Sequence, residues 1–423
     1  MPSIRGADRT AVPVLHAVHI FGLPSETFIR DAIAGTAALG WQPWVLAEAA
    51  RGECDGLDPD RLLLTPAQLP VVDKLAVRLH GGSDEARARA ARGYLAAASK
   101  APPGILHAHF GWTATGCLLA ARKLDLPLIV SFHGTDLTGQ LSQPEWRGAY
   151  KALLARADRV TVVSRFLEER LREFGYDRPI EQIRSGVRME RFPYQGPPRP
   201  RRPPRAGSAA GGPRILFVGR LIAVKGVDVL VDAVARVRSA GPQGAQATLR
   251  IVGDGPLRGE LEALASRAGV ENAVAFAGMR RHDEVRAELE RADIVVVPSR
   301  TLPAGQSEGS NVVSKEAQAV GVPVVAADAG GVPETLPPAL RHELVPPNRP
   351  DLLAARILEL WAAREQWPAR SRLQREWVQS EFAWDVIARR LSELYDRVLA
   401  EHPPGRRSLQ RRLRAGRSVT WGR

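Results

Sequence analysis

The chain has 423 residues, 44% apolar and 25% charged, with a formal net charge of +13, a globular composition too long for one ordinary core, so two domains are expected. The basic excess sits in two acid-free segments, seven Arg in 402–423 and four in 195–213, which leaves the rest almost neutral and argues against a nucleic-acid partner. There is no run of eighteen apolar residues and no signal-peptide pattern, and the two cysteines, Cys54 and Cys117, stand far apart, so a cytoplasmic protein with free thiols and no membrane span is expected.

In chain order, apolar runs predict strands near 14–20, 43–47, 104–109, 127–132, 159–163 and 180–184, alternating with helices, which is a doubly wound α/β pattern. The first strand-to-helix turn, IFGLPSETFIRD, holds Gly22 as its only glycine, and Ser25 is placed to cap a helix that ends near Gly40. The Asp-x-Asp at Asp58 and Asp60 lies among turn residues in ECDGLDPDR and reads as a loop. His107 and His109 alternate on one strand face in ILHAHFGW, and without a third ligand cluster no metal site is expected from them. In SFHGTDLTG a strand over 128–132 ends at His133 and a polar loop with Gly134, Thr135 and Asp136. Read from residues alone, His133 is better explained by a bond to backbone than by a ligand.

The Pro, Gly and Arg-rich segment 195–213 is the clearest domain boundary. Beyond it the pattern repeats, with strands expected near 214–218, 247–252, 272–277, 293–297, 323–326 and 342–345. An echo links the halves: Ala157-Asp158, a strand and Ser164-Arg165 match Ala292-Asp293, a strand and Ser299-Arg300. The first strand of this half runs into GRLIAVKG, where Gly219 lets the backbone turn close to a ligand and Arg220 and Lys225 stand near the strand's C-terminal end. Lysine occurs only at positions 74, 100, 123, 151, 225 and 315, against more than fifty arginines, which makes Lys225 conspicuous.

Glu308 and Glu316 stand eight positions apart between two apolar strands. Ser310 or Asn311 can cap a helix running to about Val320 and stopped by Gly321. Glu308 is then in the loop before the helix and Glu316 inside it. Amides at Gly309, Ser310, Asn311 and Val312 are oriented to receive phosphate oxygens, and the carboxylates to accept from sugar hydroxyls. Alone, such a pair is usually two solvated acids on a capped helix. In order after GRLIAVKG it becomes a strong signal.

Together these motifs resemble the retaining glycosyltransferases of family 4, over most of the chain. The resemblance implies a GT-B fold: two Rossmann-like, doubly wound α/β domains facing across a cleft. The domains would be 1–194 for the acceptor and 214–380 for the nucleotide sugar, with a flexible linker at 195–213. A helix over 381–401 would cross back to the first domain, and 402–423 would form a basic disordered tail. By likeness, GRL-x-x-x-KG supplies Arg220 and Lys225 for the donor diphosphate, Glu308 touches hydroxyls of the transferred sugar, and Glu316 the ribose. The turn beginning at Gly253 in GDGPL, and Met279 and Arg280 in FAGMRRHDEV, match the nucleotide-side loops. His133 would face the donor sugar, with Gly134, Thr135 and Asp136 lining the site and Ser25, Glu26 and His109 on the acceptor side. His133, Arg220, Lys225 and Glu308 are the expected catalytic set. The first turn departs from the paired-glycine loop of many members, and its SETFI wording resembles the branch that builds exopolysaccharides.

The implied reaction is transfer of a hexosyl or N-acetylhexosaminyl unit with retention, from a UDP-sugar by first choice and GDP-mannose by second. No metal or other cofactor is expected, because Arg220, Lys225 and helix amides can neutralise the leaving diphosphate. The acceptor is a polysaccharide or lipid-linked oligosaccharide, or, from the Arg and Ala-rich composition, a soluble antibiotic-type glycoside such as an aminoglycoside intermediate. Peripheral attachment to the anionic inner face of a membrane through the basic tail stays open. A non-hydrolysing sugar-nucleotide epimerase of the same fold and a catalytically degenerate nucleotide-sugar binder are the alternatives.

Overall fold

The computed structural model describes residues 12–23, 26–51, 57–65, 84–141, 143–197 and 211–402. Ser25, Cys54, most of the expected linker and all but the first residue of the expected tail lie outside them. Strands β1 (Pro13–Phe21), β2 (Gln42–Ala50), β3 (Leu62–Leu64), β4 (Ile105–His109), β5 (Leu128–Phe132), β6 (Arg159–Val162) and β7 (Ile180–Gln182) form one sheet, ordered β3-β2-β1-β4-β5-β6-β7. Strands β8 (Arg214–Val218), β9 (Thr248–Val252), β10 (Val274–Gly278), β11 (Ile294–Val297) and β12 (Val324–Ala326) form another, ordered β10-β9-β8-β11-β12. Every strand pairing is parallel. Runs such as LIVSF and IVVV are buried residue after residue, as strands covered on both faces by crossover helices must be.

The helices of the first half are α1 (Thr27–Ala37), α2 (Asp84–Ala98), α3 (Gly111–Lys123), α4 (Thr135–Thr138), α5 (Pro144–Arg156) and α6 (Arg165–Glu173). Those of the second are α7 (Val227–Ser239), α8 (Arg258–Arg267), α9 (His282–Arg291), α10 (Val312–Val320), α11 (Pro350–Ala362), α12 (Trp367–Phe382) and α13 (Trp384–Glu401). Two compact units result: 1–162 with 174–183 and 387–423, and 163–173 with 184–386. The division differs from a single cut at 195–213. Helix α6 follows a strand of the first unit yet groups with the second, where the Glu334 carboxylate accepts from the Arg165 and Phe166 backbone N–H groups at 3.0 and 3.1 Å and caps it. Helix α13 divides within its first turn, and Tyr395 and Val398 on its far part are buried in the first unit.

Two expectations on strands are corrected. The run at 342–345 is no strand: Pro338–Glu343 is a 3-10 helix, and Val345 makes a single bridge to Ala327, because consecutive prolines lack the N–H groups that a ladder needs. Strand β3 was not anticipated, being a three-residue edge strand that is half exposed. The echo between the halves has a physical basis. Asp158 and Asp293, each just before a strand, accept from the first backbone N–H of the neighbouring strand, Leu128 at 2.7 Å and Arg214 at 2.8 Å. Each carboxylate satisfies a donor that the ladder leaves orphaned at its start.

In both sheets the order reverses beside the first strand of the unit, between β1 and β4 and between β8 and β11. Ligands of open α/β sheets bind beyond the strand C-termini at such a reversal. The segments that follow these strands are 22–26, 110–112, 219–226 and 298–311, which include Glu26, Gly219, Arg220, Lys225, Glu308, Gly309, Ser310 and Asn311 of the expected site residues. No helix among the described residues is long and apolar enough to cross a membrane.

Candidate active site

In the second unit, β8 ends at Val218 and the chain turns sharply at Gly219. The Gly219 N–H donates to Val252 O at 2.9 Å and that of Leu221 to Asp254 O at 2.9 Å, so the GRL and GDG turns are laced together. A Cβ on Gly253, whose φ is +132°, would stand 1.9 Å from the Gly219 carbonyl oxygen; only glycine allows this approach. Gly253 also bridges Gly278, which brings Met279 and Arg280 beside the same turn, with Met279 69% exposed. A 3-10 turn over Ala223–Lys225 follows. Arg300 holds it, donating to Ala223 O at 2.7 Å and pairing with Asp228 at 2.9 Å.

That turn delivers Lys225 to Glu308: Nζ and Oε1 are 2.6 Å apart, and both side chains are largely withdrawn from solvent. Arg220 is exposed and forms no ion pair with any described residue. The two expected cations thus differ in state, one held against a carboxylate and one open.

The 298–311 loop is backed by the segment Ala329–Gly330–Gly331. The Gly331 N–H donates to Glu308 O at 2.8 Å. A Cβ on Gly331 would fall 2.0 Å from Gly309 O, and one on Gly330, at φ +56°, 2.4 Å from Glu308 O. Asn311 is the N-cap of α10, its side chain accepting from Ser314 N at 2.8 Å. Gly321, in the left-handed region at φ +106°, ends the helix as expected. Glu316 is buried on α10 with His282 Nε2 3.5 Å from its Oε1, and Phe192 stands edge-on to that imidazole. Behind the loop, Lys315 is fully buried, with Nζ 2.7 Å from Ser185 O and 3.1 Å from Ser310 Oγ. The structure therefore brings together Gly219, Lys225, Gly253, Glu308, Gly309, Ser310, Asn311, Val312 and Glu316. Gly330, Gly331, His282 and Lys315 were not singled out from the sequence. The adjacent glycines after β12 were the readable signal for the first two.

In the first unit, cross-strand register makes an imidazole cluster. His16 pairs with His107 across β1 and β4, and period-two spacing sets His109 on the same face. His16 Nδ1 lies 3.2 Å from His109 Nε2, and His109 Nδ1 lies 3.3 Å from His133 Nε2. His107 bonds Tyr395 OH and Ser131 Oγ, each at 2.7 Å. Burial holds all four well below the ordinary imidazole range, His109 at about 3. They are neutral hydrogen-bonding groups. His16, His107 and His109 offer ring nitrogens within 4.8 Å of one another, the one cluster among the described residues with metal-ligand spacing, although both His107 nitrogens already have partners.

His133 is partly exposed, packed between Phe28 and Phe110 with ring centroids 4.7 and 4.8 Å away. His109 corrects the expectation of an acceptor-facing side chain: it is buried behind His133 with both nitrogens engaged. Asp136 is likewise fully buried, accepting from the backbone N–H groups of Gly134 at 2.8 Å and of His133 and Gly111 at 3.2 Å. Its role is to fix the loop, not to line it, while Thr135 is exposed. Glu26 sits at the start of α1 with no side-chain cap. Nearby, a cavity of about 210 Å³ is lined by Trp112, Tyr94, Trp146, His19 and Glu48 among others, and Trp112 stacks on Phe110 at 4.4 Å.

Burial pushes the Asp136 carboxyl up to about 6, against the pull of its backbone N–H bonds. Its folded value lies above the unfolded one of about 3.9, so its stability contribution is fully present below the unfolded value and lost as pH rises through about 6. Carbon-detected NMR titration of Asp136 should give a midpoint near 6. A midpoint at or below 4 would mean that the backbone donors outweigh burial.

Residues 25–191 match the model of Glycosyltransferase Family 4 and residues 212–363 that of Glycosyl transferases group 1. The chain is 33% identical over 290 residues, 67% of its length and 74% of the relative's, to a GDP-mannose-dependent alpha-(1-6)-phosphatidylinositol monomannoside mannosyltransferase of Mycobacterium tuberculosis. It is 29% identical over 312 residues, 72% of its length and 73% of the relative's, to the amylovoran biosynthesis glycosyltransferase AmsK of Erwinia amylovora. In fold it is similar to Anabaena HepE solved with UDP and glucose, with a TM-score of 0.70 and 21% identity over 91% of this chain and 99% of that one. The two parallel sheets are the paired Rossmann-like domains of the GT-B fold. The chain belongs to the family 4 glycosyltransferases and is a hexosyltransferase that uses sugar-nucleotide donors.

Proposed function

We propose that the second unit binds the diphosphate of a GDP- or UDP-hexose at Gly219, Arg220 and Lys225, and that the hexosyl unit passes with retention to a hydroxyl of a polysaccharide or lipid-linked glycan. The observation that carries this reading is the Lys225–Glu308 pair at 2.6 Å, set where the second sheet reverses its order. It offers a cation for phosphate oxygens and a carboxylate for sugar hydroxyls at one point. The named relatives, a mannosyltransferase of a phosphatidylinositol glycan and an amylovoran enzyme, favour a glycan acceptor over a soluble antibiotic. GDP-mannose stands beside the UDP-hexose on the strength of the first relative's name.

As the bond from C1 to the leaving phosphate oxygen breaks, negative charge grows on the diphosphate. Arg220, Lys225 and the amides of 309–312 are the donors to that charge, so they favour the transition state over the ground state without a metal. The acceptor oxygen bonds C1 on the face the diphosphate leaves, and its proton passes to the departing phosphate oxygen. Nucleoside diphosphate and the new glycoside result. Glu308 and Glu316 orient the sugar and ribose hydroxyls.

The test is thermal melting with a panel of nucleotide sugars for the wild type and Arg220→Ala. A rise in Tm with GDP-mannose or a UDP-hexose, lost in the variant, is expected, since ligands stabilise the state that binds them. Equal shifts in both proteins would remove Arg220 from the donor site.

A further inference from the structure

Lys315 is a buried charged side chain behind the candidate donor loop for which the reaction has no use. Its relative exposure is 0%, a costly position for an ammonium unless its donors are met. It donates to Ser185 O at 2.7 Å and to Ser310 Oγ at 3.1 Å, and its Nζ lies 5.0 Å from the Phe382 ring centroid. Ser310 is half buried and has no other hydrogen-bond partner among the described residues. A hydroxyl oxygen that accepts from an ammonium must turn its own hydrogen elsewhere, because the lysine has donors only. That hydrogen is therefore free for an acceptor on the open side, at the amides of 309–312.

We propose that Lys315 is a positioning residue for the donor diphosphate: its buried ammonium holds Ser310 Oγ as an acceptor and turns the Ser310 hydroxyl toward a phosphate oxygen, lending that bond its positive charge. The inference rests on the donor-site reading above. It explains why a lysine lies under this loop in a chain that otherwise prefers arginine: a compact ammonium fits between a carbonyl and a hydroxyl, whereas a guanidinium needs a planar fork of acceptors.

A proton linkage follows. Burial lowers Lys315 to about 7, with Glu316 opposing and Arg184 adding to that fall. Glu316 is itself beside His282, and Arg184 is paired with Glu381 at 2.7 Å. A bound phosphate raises the affinity of Lys315 for its proton, so donor binding takes up protons near neutrality and strengthens as pH falls from about 8.5 to 6. Nucleotide sugars are suitable probes because their diphosphate is esterified at both ends and has no proton of its own to exchange in this range.

The experiment is calorimetric titration of the full chain with GDP-mannose and with UDP-glucose at pH 6.0, 7.0 and 8.5. Each is run in two buffers of different ionisation enthalpy, for the wild type, Lys315→Met, Ser310→Ala and Arg220→Ala. The wild type should take up about half a proton at pH 7 and bind about tenfold more tightly at pH 6.0 than at 8.5. Lys315→Met and Ser310→Ala should each bind about tenfold more weakly at pH 6.0, the loss of one charge-assisted hydrogen bond, with most of the uptake gone. Wild-type affinity and uptake in both variants, with Arg220→Ala impaired, would overturn the role of Lys315 and leave the donor site standing. Binding of neither donor by the wild type would overturn the donor-site reading and this inference with it. Methionine matches lysine in length out to Cε and lacks the ammonium. If Lys315→Met nonetheless fails to fold, Ser310→Ala, which keeps the lysine, decides the question alone.

Discussion

Lys225→Met should lower kcat/KM for transfer by about a hundred- to thousandfold, the usual effect of deleting one preorganised donor to a developing anion. Two losses add. The diphosphate loses a cation in a site that is largely withdrawn from water, and Glu308, now without its partner at 2.6 Å, keeps a shielded charge that destabilises the loop. Initial-rate kinetics with saturating acceptor would separate them when Glu308→Gln and the double variant are measured alongside. If the lysine served only to neutralise Glu308, the double variant would regain activity. If it acts on the diphosphate, the double variant regains thermal stability but stays at least about a hundredfold slow. Lys225→Met with activity within a few-fold of wild type would exclude it from the reaction.

Gly331→Ala should cost about a hundredfold in transfer, although Gly331 carries no functional group. Its added Cβ would stand 2.0 Å from Gly309 O, so one of two backbones must move by about 1 Å, and a displacement of that size at a reacting centre is worth about two orders of magnitude. The segment cannot easily yield, since Gly330 already lies at φ +56° with Glu308 O and Ser307 Oγ near any Cβ it might carry. Gly259→Ala is the control: it lies on helix α8 with nothing within 4 Å of the added carbon and should be neutral or slightly stabilising. A Gly331→Ala enzyme of normal rate would show that the two loops are not held together.

Much of the second unit was readable without coordinates. The strands near 214–218 and 293–297, a cap at Ser310 or Asn311, the stop at Gly321 and the placing of Glu308 before the helix with Glu316 inside it all follow from local chemistry. That chemistry is apolar runs bounded by glycine and proline, a side chain that can accept from the first turn, and a residue without Cβ where φ must be positive. The strand expected at 342–345 failed for a reason of the same kind, since prolines at 337 and 338 favoured a 3-10 turn. His109 failed for a different one, since alternation shows which face a side chain takes, not whether other side chains cover that face. Asp136 failed because no local pattern shows that its carboxylate turns inward to accept from the N–H groups of Gly111, His133 and Gly134.

The sequence by itself determined the α/β class, the order of the motifs, the family and the chemistry the site can offer, because each of these depends on residue type and short spacing. Tertiary structure alone decided the strand order that puts the turn after β8 beside the loop after β11, and so the pairing of Lys225 with Glu308 across more than eighty residues. It also decided the alignment of His16 with His107 and His109, the glycine backing of the donor loop and the burial of Lys315. These depend on which strands become neighbours and how closely two backbones approach, quantities set by packing over the whole unit and written in no local pattern.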